Sequence, residues 1–215
     1  MGGMDDRRQR RIADWDRRAG TYDARTSWLE RRVLAASREW IATRAAGETI
    51  EVAVGTGLNL PHLAREGDAV RLRGVDWSSA MLDRARSRAL ALGIDAELVV
   101  ADAGTLPFED RSADTVVCTF ALCEVEDVRA GLVEMLRVLR PGGRLLLADH
   151  VVSTSLPLRL MQRAAELVSV PRHGEHFTRR PLTVLADLAV DLVEVERGRL
   201  GIIERVHARR RQDAA

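Results

Sequence analysis

Five short apolar runs alternate with helical patterns between residues 49 and 151, and this alternation constrains the fold more than any other feature. The runs are "TIEVAV", "AVRLRGVD", "AELVVAD", "SADTVVCTFAL" and "RLLLADHV". Each is aliphatic or β-branched and too short for a helix, the mark of a buried strand. Between them, "LPHLAREG", "SSAMLDRARSRALALG" and "VEDVRAGLVEMLRVLRPGG" carry apolar residues at helical spacing, the last ended by Pro141 and glycines. Repeated strand–helix units need crossover connections. The spacing therefore predicts an α/β fold, a parallel sheet with helices on both faces. The chain end departs from this pattern. "DLVEVER" and "GIIERVHAR" are strand-like with only "GRL" between them, a link short enough for an antiparallel hairpin. Seven strands, mostly parallel, are expected.

Two helices precede the sheet. Over 5–19 and 26–45, Trp15, Trp28, Leu29, Val33, Leu34, Trp40 and Ile41 recur at helical spacing among arginines, with the turn-like "GTYDART" between. Residues 1–45 form a helical lid in this reading and 46–215 the main domain. A cover that begins with an amphipathic helix is inserted at 153–180. The tail "RRRQDAA" is expected to fray. A chain of 215 residues, 46% of them apolar, suits one sizeable core. Its 33 basic residues, all arginine, and 32 acidic residues leave a net charge of +1, which gives no global attraction to nucleic acid. Cys118 and Cys123 make neither a disulfide framework nor a zinc ligand set, and fit a reducing, cytoplasmic compartment. No run reaches the roughly 18 apolar residues of a membrane span. The start, "MGGMDDRRQRR", lacks an apolar signal core. Asp6 stands where a myristoylation signal wants Ser or Thr.

In an open parallel sheet, ligands bind beyond the carboxyl ends of the strands, where strand order reverses. After the first strand come Gly55, Thr56, Gly57, Leu58 and Asn59. Glycines there let the backbone approach a ligand and tolerate positive φ. After the second comes Asp76, whose carboxylate can accept both hydroxyls of a ribose. After the third come Asp102, an acceptor for an exocyclic amine, and Ala103, which leaves room for a flat ring. The fourth strand exits through Cys118, Thr119, Phe120 and Ala121. A dinucleotide would want a third glycine where Leu60 stands, which disfavours a pyrophosphate site and a nicotinamide-dependent oxidoreductase. A nucleoside without phosphates fits better.

The stretches "EVAVGTGLNL", "GVDWSSAMLDRAR", "VVADAGTLPFED" and "VLRPGGRLLLADHV" resemble the successive motifs of the class I S-adenosylmethionine-dependent methyltransferases. The resemblance spans 49–152 and implies a Rossmann-like sheet with S-adenosyl-L-methionine as cofactor. By position it assigns Glu51 and the Gly55–Thr56–Gly57 loop with Asn59 to the methionine part, Asp76 to the ribose, and Asp102 with Ala103 to the adenine. Met81, Cys118 and Thr119 complete the implied donor set. Trp77 either flanks the adenine ring or is a partly exposed aromatic at the sheet edge. "WDRRAGTYDAR" resembles the N-terminal lid of quinone-type methyltransferases, in which Tyr22 would close over the donor. Val54 and Leu58 depart from the usual motif, where a cysteine or a third small residue often stands. "DTVVCTFALCEVED" and "LADHV" are similar to small lipid- or thiol-directed methyltransferases and to bacterial phosphatidylethanolamine N-methyltransferases.

Methyl transfer from a sulfonium is an in-line displacement in which alignment does most of the work. A general base is needed only where the nucleophile must lose a proton. His150, after the fifth strand, is the candidate, with Glu124, His173 and His176 beside it. "RHGEHF" lacks a third metal ligand at partner spacing, so no metal is expected. The expected activity is methyl transfer to a small-molecule or lipid-like acceptor; the alternative is a non-catalytic donor-binding or regulatory module. Residues 5–19 can serve as a lid or as a basic helix on an anionic membrane. Asp5, Asp6, Asp14 and Asp16 offset four of six arginine charges, which favours the lid.

Overall fold

The computed structural model describes residues 2–64 and 71–212. Seven strands form one sheet: β1 Glu48–Val52, β2 Arg71–Asp76, β3 Ala96–Val100, β4 Ala113–Thr119, β5 Leu139–His150, β6 Val190–Arg197 and β7 Ile203–Arg210. Their spatial order is β3-β2-β1-β4-β5-β7-β6. Neighbours from β3 to β5 are parallel, and β7 runs antiparallel between β5 and β6. The order reverses between β1 and β4: the chain leaves β1 toward β2 and returns on its other side at β4. A crevice opens beyond the carboxyl ends of that pair.

Alternation along the central strands sends side chains into two cores. On one face, Val116, Leu145 and Leu147 pack with Leu132, Met135 and Val138 of α6 (Val128–Val138). On the other, Val117, Leu146 and Ala148 meet Trp40 and Ile41 of α3 (Ala35–Ala42) and Leu82 and Ala85 of α5 (Ser79–Leu92). Burying a strand on both faces requires a continuous apolar run, which is why "TVVCT" and "RLLLA" lack the polar alternation of an exposed sheet. Ser78 caps α5 by accepting from the Met81 N–H at 3.2 Å, and Gly93 ends it at φ 66°.

The N-terminal helices are α1 (Gly2–Arg18) and α2 (Tyr22–Leu29). A π-helical turn over Glu30–Leu34 joins α2 to α3. The break between α1 and α2 is shorter than the "GTYDART" pattern predicts, because the helix resumes at Tyr22. The glycine loop is followed by α4 (Leu60–Leu63); the rest of the expected helix, 65–67, and the first two residues of the expected second strand lie outside the described residues. α6 ends at Val138, before Pro141, because Leu139 already pairs with Ala113; the register then shifts before Arg144 meets Thr115. The insertion contains α7 (Leu156–His173), followed by α8 (Pro181–Leu185). Of the tail expected to fray, Arg209 and Arg210 belong to β7, and 213–215 lie outside the described residues.

Candidate functional site

The loop after β1 turns on three left-handed residues: Ala53 at φ 59°, Gly55 at φ 57° and Gly57 at φ 80°. The two glycines serve different ends. A Cβ on Gly55 would meet nothing within 4 Å, since that position faces open space. A Cβ on Gly57 would lie 2.8 Å from Leu60 Cδ1 and 3.1 Å from the Ala85 backbone. Gly57 therefore allows the loop to pack on α5, while Gly55 leaves its backbone bare to the crevice.

Asp76, at the end of β2, fastens that loop. Its Oδ2 accepts the Gly55 N–H at 2.8 Å and its Oδ1 the Ser78 N–H at 2.9 Å. Burial pushes the carboxyl up to about 6, against the pull of those hydrogen bonds. Beyond β3, Asp102 accepts the Gly104 N–H at 2.7 Å and pairs with Arg8 of α1 at 2.9 Å. Beyond β4, Phe120 holds φ 54°, a second non-glycine left-handed residue at the same sheet edge. Strain of this kind gathers where the surrounding structure fixes a site.

These strand ends enclose a cavity of about 500 Å³, large enough for a nucleoside-sized ligand. Of the residues expected from sequence, Tyr22, Gly55, Thr56, Asp76, Trp77, Met81, Asp102, Ala103 and Thr119 line it. Glu51, Gly57, Asn59 and Cys118 lie outside the wall. Glu51 and Asn59 belong to a buried network just beneath it. There Arg38 donates to Glu30 at 2.7 Å and to Asn59 at 2.8 Å, and Asn59 donates to Glu51 Oε1 at 2.6 Å and to Thr119 at 2.8 Å. Glu51 Oε2 is buried without a partner, and burial pushes this carboxyl up to about 7. Cys118 packs in the core, its thiol held well above its ordinary range by burial.

α1 closes the cavity. Trp15 lines it, meets the Tyr22 ring edge-to-face at 5.8 Å, and donates its indole N–H to Glu124 at 2.9 Å. Asp16 accepts from Ser78 Oγ at 2.5 Å and from the Ala80 N–H at 3.3 Å, at the start of α5. The Arg11 guanidinium stands 5.0 Å over the Trp77 ring. Glu124, also on the wall, is pushed up to about 8, first by burial and then by Glu175. Burial raises Tyr22 to about 12.

His150 is not on the cavity wall. Its Nδ1 lies 3.5 Å from Asp149 and its Nε2 3.9 Å from Glu175, with Phe177 beside the ring. The histidines of "RHGEHF" part company: His173 faces Asp14 and Arg18 of α1, while the His176 N–H bonds to Cys123 O. Among the described residues, Cys123, Asp149 and His150 bring ligand-type atoms within 4.8 Å of one another, but burial holds the Cys123 thiol well above its ordinary range and so protonated. Sequence reading missed Arg8, Glu30 and Arg38. No local pattern separates Arg38 from the other arginines; only the folded π turn brings it under Thr119.

Residues 50–147 match the family described as "Methyltransferase domain". The ubiquinone/menaquinone biosynthesis C-methyltransferase UbiE of Dinoroseobacter shibae is 38% identical over 151 residues, 66% of this chain and 58% of that protein. A phosphatidylethanolamine N-methyltransferase of Cereibacter sphaeroides is 37% identical over 120 residues, 55% of this chain and 58% of that one. The chain thus spans less than two thirds of the length of these relatives. Among solved structures, a geranyl diphosphate methyltransferase in complex with S-adenosylmethionine superposes with a TM-score of 0.70 at 19% identity, covering 89% of this chain and 91% of that one. An S-adenosylmethionine-dependent methyltransferase of Methanosarcina mazei gives a TM-score of 0.64 at 24% identity, with 78% and 94% covered. In motif order, sheet topology and these matches, residues 50–147 are similar to the methyltransferase domain of S-adenosylmethionine-dependent enzymes.

Proposed function

We propose that this chain binds S-adenosyl-L-methionine in the cavity and transfers its methyl group to a small-molecule or lipid-like acceptor. The observation that carries the reading is the convergence of Gly55, Asp76 and Asp102, from three adjacent strand ends, on one cavity closed by α1. The residues fit the donor. Gly55 offers bare backbone with open space above it. Asp76 keeps lone pairs for a ribose diol beyond its two backbone bonds. Just beneath the wall, under Thr119, Glu51 Oε2 is a buried acceptor with no partner, suited to an ammonium of a methionine moiety that reaches down to it from the cavity. Asp102 and Ala103 suit the adenine.

When bound, S-adenosylmethionine supplies a methyl group already activated on a sulfonium. The chain's part is to orient the reactants and exclude water. Trp15 and Tyr22 cover the wall, and the strand-end carboxylates fix the donor. Glu124 is a carboxyl on the wall that can take a proton from an acceptor once ionised; burial pushes it up to about 8, so its base form grows in as pH rises toward 8. His150, outside the wall, acts in this reading only on its neighbours Asp149 and Glu175. The names of the matched quinone and phosphatidylethanolamine methyltransferases support a lipid-like acceptor.

Calorimetry with S-adenosylhomocysteine and with NAD tests the donor assignment. Binding of the first and none of the second is expected, and Asp76→Ala should weaken it by roughly 1.5–3 kcal/mol. Tight NAD binding without a response to S-adenosylhomocysteine refutes it. S-adenosylhomocysteine formation with quinone and phospholipid acceptors then separates an enzyme from a donor-binding module.

A further inference from the structure

α7 is inside out. Gln162, Glu166 and Ser169 face the protein and are satisfied there. Gln162 donates to Val151 O at 2.9 Å and to Phe177 O at 3.1 Å, while its Oε1 accepts the Ser153 N–H at 2.8 Å. Glu166 accepts from Thr178, and Ser169 Oγ donates to Glu175 O at 2.8 Å. The aliphatic residues face outward: Leu156, Leu160, Met161, Leu167 and Val168 are each 51–79% exposed, with exposed Ala164 between them. At 3.6 residues per turn this face spans about 140° of the helix surface without a charge. Arg163 and Arg172 stand at its two edges, exposed and without an ion pair to any described residue. The helix's one acid, Glu166, is turned inward.

The surroundings extend both properties. At the start of α7 the neighbouring Leu200, whose carbonyl holds Ser153 and Thr154, adds another exposed aliphatic side chain. At its end, Pro171 and Arg172 form one wall of a groove whose other side is α1. That groove is lined by Arg7, Arg10, Arg11, Arg17 and Arg179 with Asp14 and Glu126; Arg10 and Arg17 are paired with Asp6 and Asp14, which leaves Arg7, Arg11 and Arg179 as its basic excess. An apolar face edged by arginines and running into an arginine-lined groove is the pattern of a helix lying in a lipid headgroup boundary.

We propose that α7 is an interfacial helix that seats the protein on an anionic lipid surface, its leucines entering the acyl boundary and the flanking arginines meeting lipid phosphates. Charge complementarity decides against a second copy of the chain as occupant. Two such faces packed on each other would set arginine edge beside arginine edge, with no acidic edge to receive them. The apolar face belongs to α7, not α1; α1 adds arginines at the groove, and its Trp15 is spent on the cavity. The surface also stands apart from the methyl-transfer reading, since vesicle binding needs no donor.

Sedimentation of the full chain with vesicles tests it. Binding is expected to mixed phosphatidylcholine–phosphatidylglycerol vesicles, to weaken with salt, and to be slight with phosphatidylcholine alone. Leu160→Glu combined with Leu167→Glu should lower the partition by roughly tenfold or more. Arg163→Gln with Arg172→Gln should lower it several-fold while circular dichroism stays unchanged; this pair decides the matter if the leucine variant fails to fold. S-adenosylhomocysteine affinity should be unaltered in both, so failure here is distinguishable from failure of the donor assignment. Absence of vesicle binding, equal binding to both vesicle types, or a solution dimer abolished by the leucine pair would overturn the proposal.

Discussion

Donor affinity should rise steeply with pH across the neutral range, against the usual expectation that carboxylates are settled there. Burial lifts Glu51 to about 7 and Asp76 to about 6, so both are substantially protonated in the free protein at mildly acidic pH. The proposed donor contacts need both ionised: Glu51 to meet an ammonium, Asp76 to accept two hydroxyls. Deprotonating them at about pH 5 costs roughly two units for Glu51 and one for Asp76, about 4 kcal/mol in all. Affinity for S-adenosylhomocysteine should therefore be about a thousandfold weaker at pH 5 than at pH 8. Its logarithm should climb with a slope near two below pH 6, near one between 6 and 7, and then level. The sign for folding is opposite. Each acid binds its proton more tightly in the fold than in the unfolded chain, so the stability this contributes is full below the unfolded values and is lost as pH rises through about 6 to 7. Bound donor should restore it, and its effect on the melting temperature should grow with pH. Isothermal titration from pH 5 to 8, with circular dichroism as a control on folding, reads this directly. Glu51→Gln should remove the upper leg and leave that of Asp76. An affinity that is flat over the range, or that rises as pH falls, would refute the reasoning. Glu124, near 8 and beside the lid indole, should show its titration in methyl transfer and not in affinity.

The two loop glycines should separate in experiment. Gly57→Ala forces a methyl to 2.8 Å from Leu60 and should cost roughly 1–3 kcal/mol of stability, a loss of several degrees in Tm. Gly55→Ala has room for its methyl and should cost only about 1 kcal/mol through its positive φ, while weakening donor binding by roughly tenfold. Trp15→Ala should cost roughly 1–3 kcal/mol of stability, a loss of several degrees in Tm, by leaving a buried carboxyl without its partner, and should speed donor release by roughly tenfold. Unchanged release kinetics would remove α1 from the role of lid.

What was legible in the sequence is what period and composition dictate. Strands buried on both faces must be continuously apolar, so "TVVCT" and "RLLLA" announce themselves, and Gly55, Asp76 and Asp102 stand out because each follows such a run. The strand ends are defined by backbone geometry, and backbone geometry is local. The remaining parts of the site come from long-range juxtaposition. Arg38 reaches Asn59 and Thr119 from another element, Arg8 crosses to Asp102, and Glu124 meets an indole 109 positions away. Nothing in the spacing of those residues foretells their meeting. His150 shows the converse. Its place just after β5 puts it at the ligand-bearing edge in sequence, yet the side chain turns toward Asp149, Glu175 and Phe177. A strand end fixes the Cα and leaves the side chain a choice of faces. α7 was legible as amphipathic, but a hydrophobic pattern does not say which face meets the protein. Only the hydrogen bonds of Gln162, Glu166 and Ser169 settle that its polar side is the inner one.

The α1 helix is tied to the loops that build the cavity. Through Arg8, α1 holds the loop after β3; through Asp16, the loop after β2; through Trp15, the segment after β4. Each of these three contacts ends at or beside a residue that lines the wall. Lifting α1 therefore releases all three loops together, and a ligand that orders any one of them favours closure over the others. The α1 ties also differ in kind. Asp16 meets the start of α5, where an acid is favoured by the helix dipole. Arg8 makes a half-exposed pair worth at most about 1 kcal/mol. Trp15 donates to a carboxyl buried in the wall. The end of α1 nearest Arg8 is thus the weaker hold, beside Asp102. The Trp15 end, beside Tyr22 and Glu124, is the firmer hold, and in the proposed reaction that is where an acceptor proton would be handled out of water.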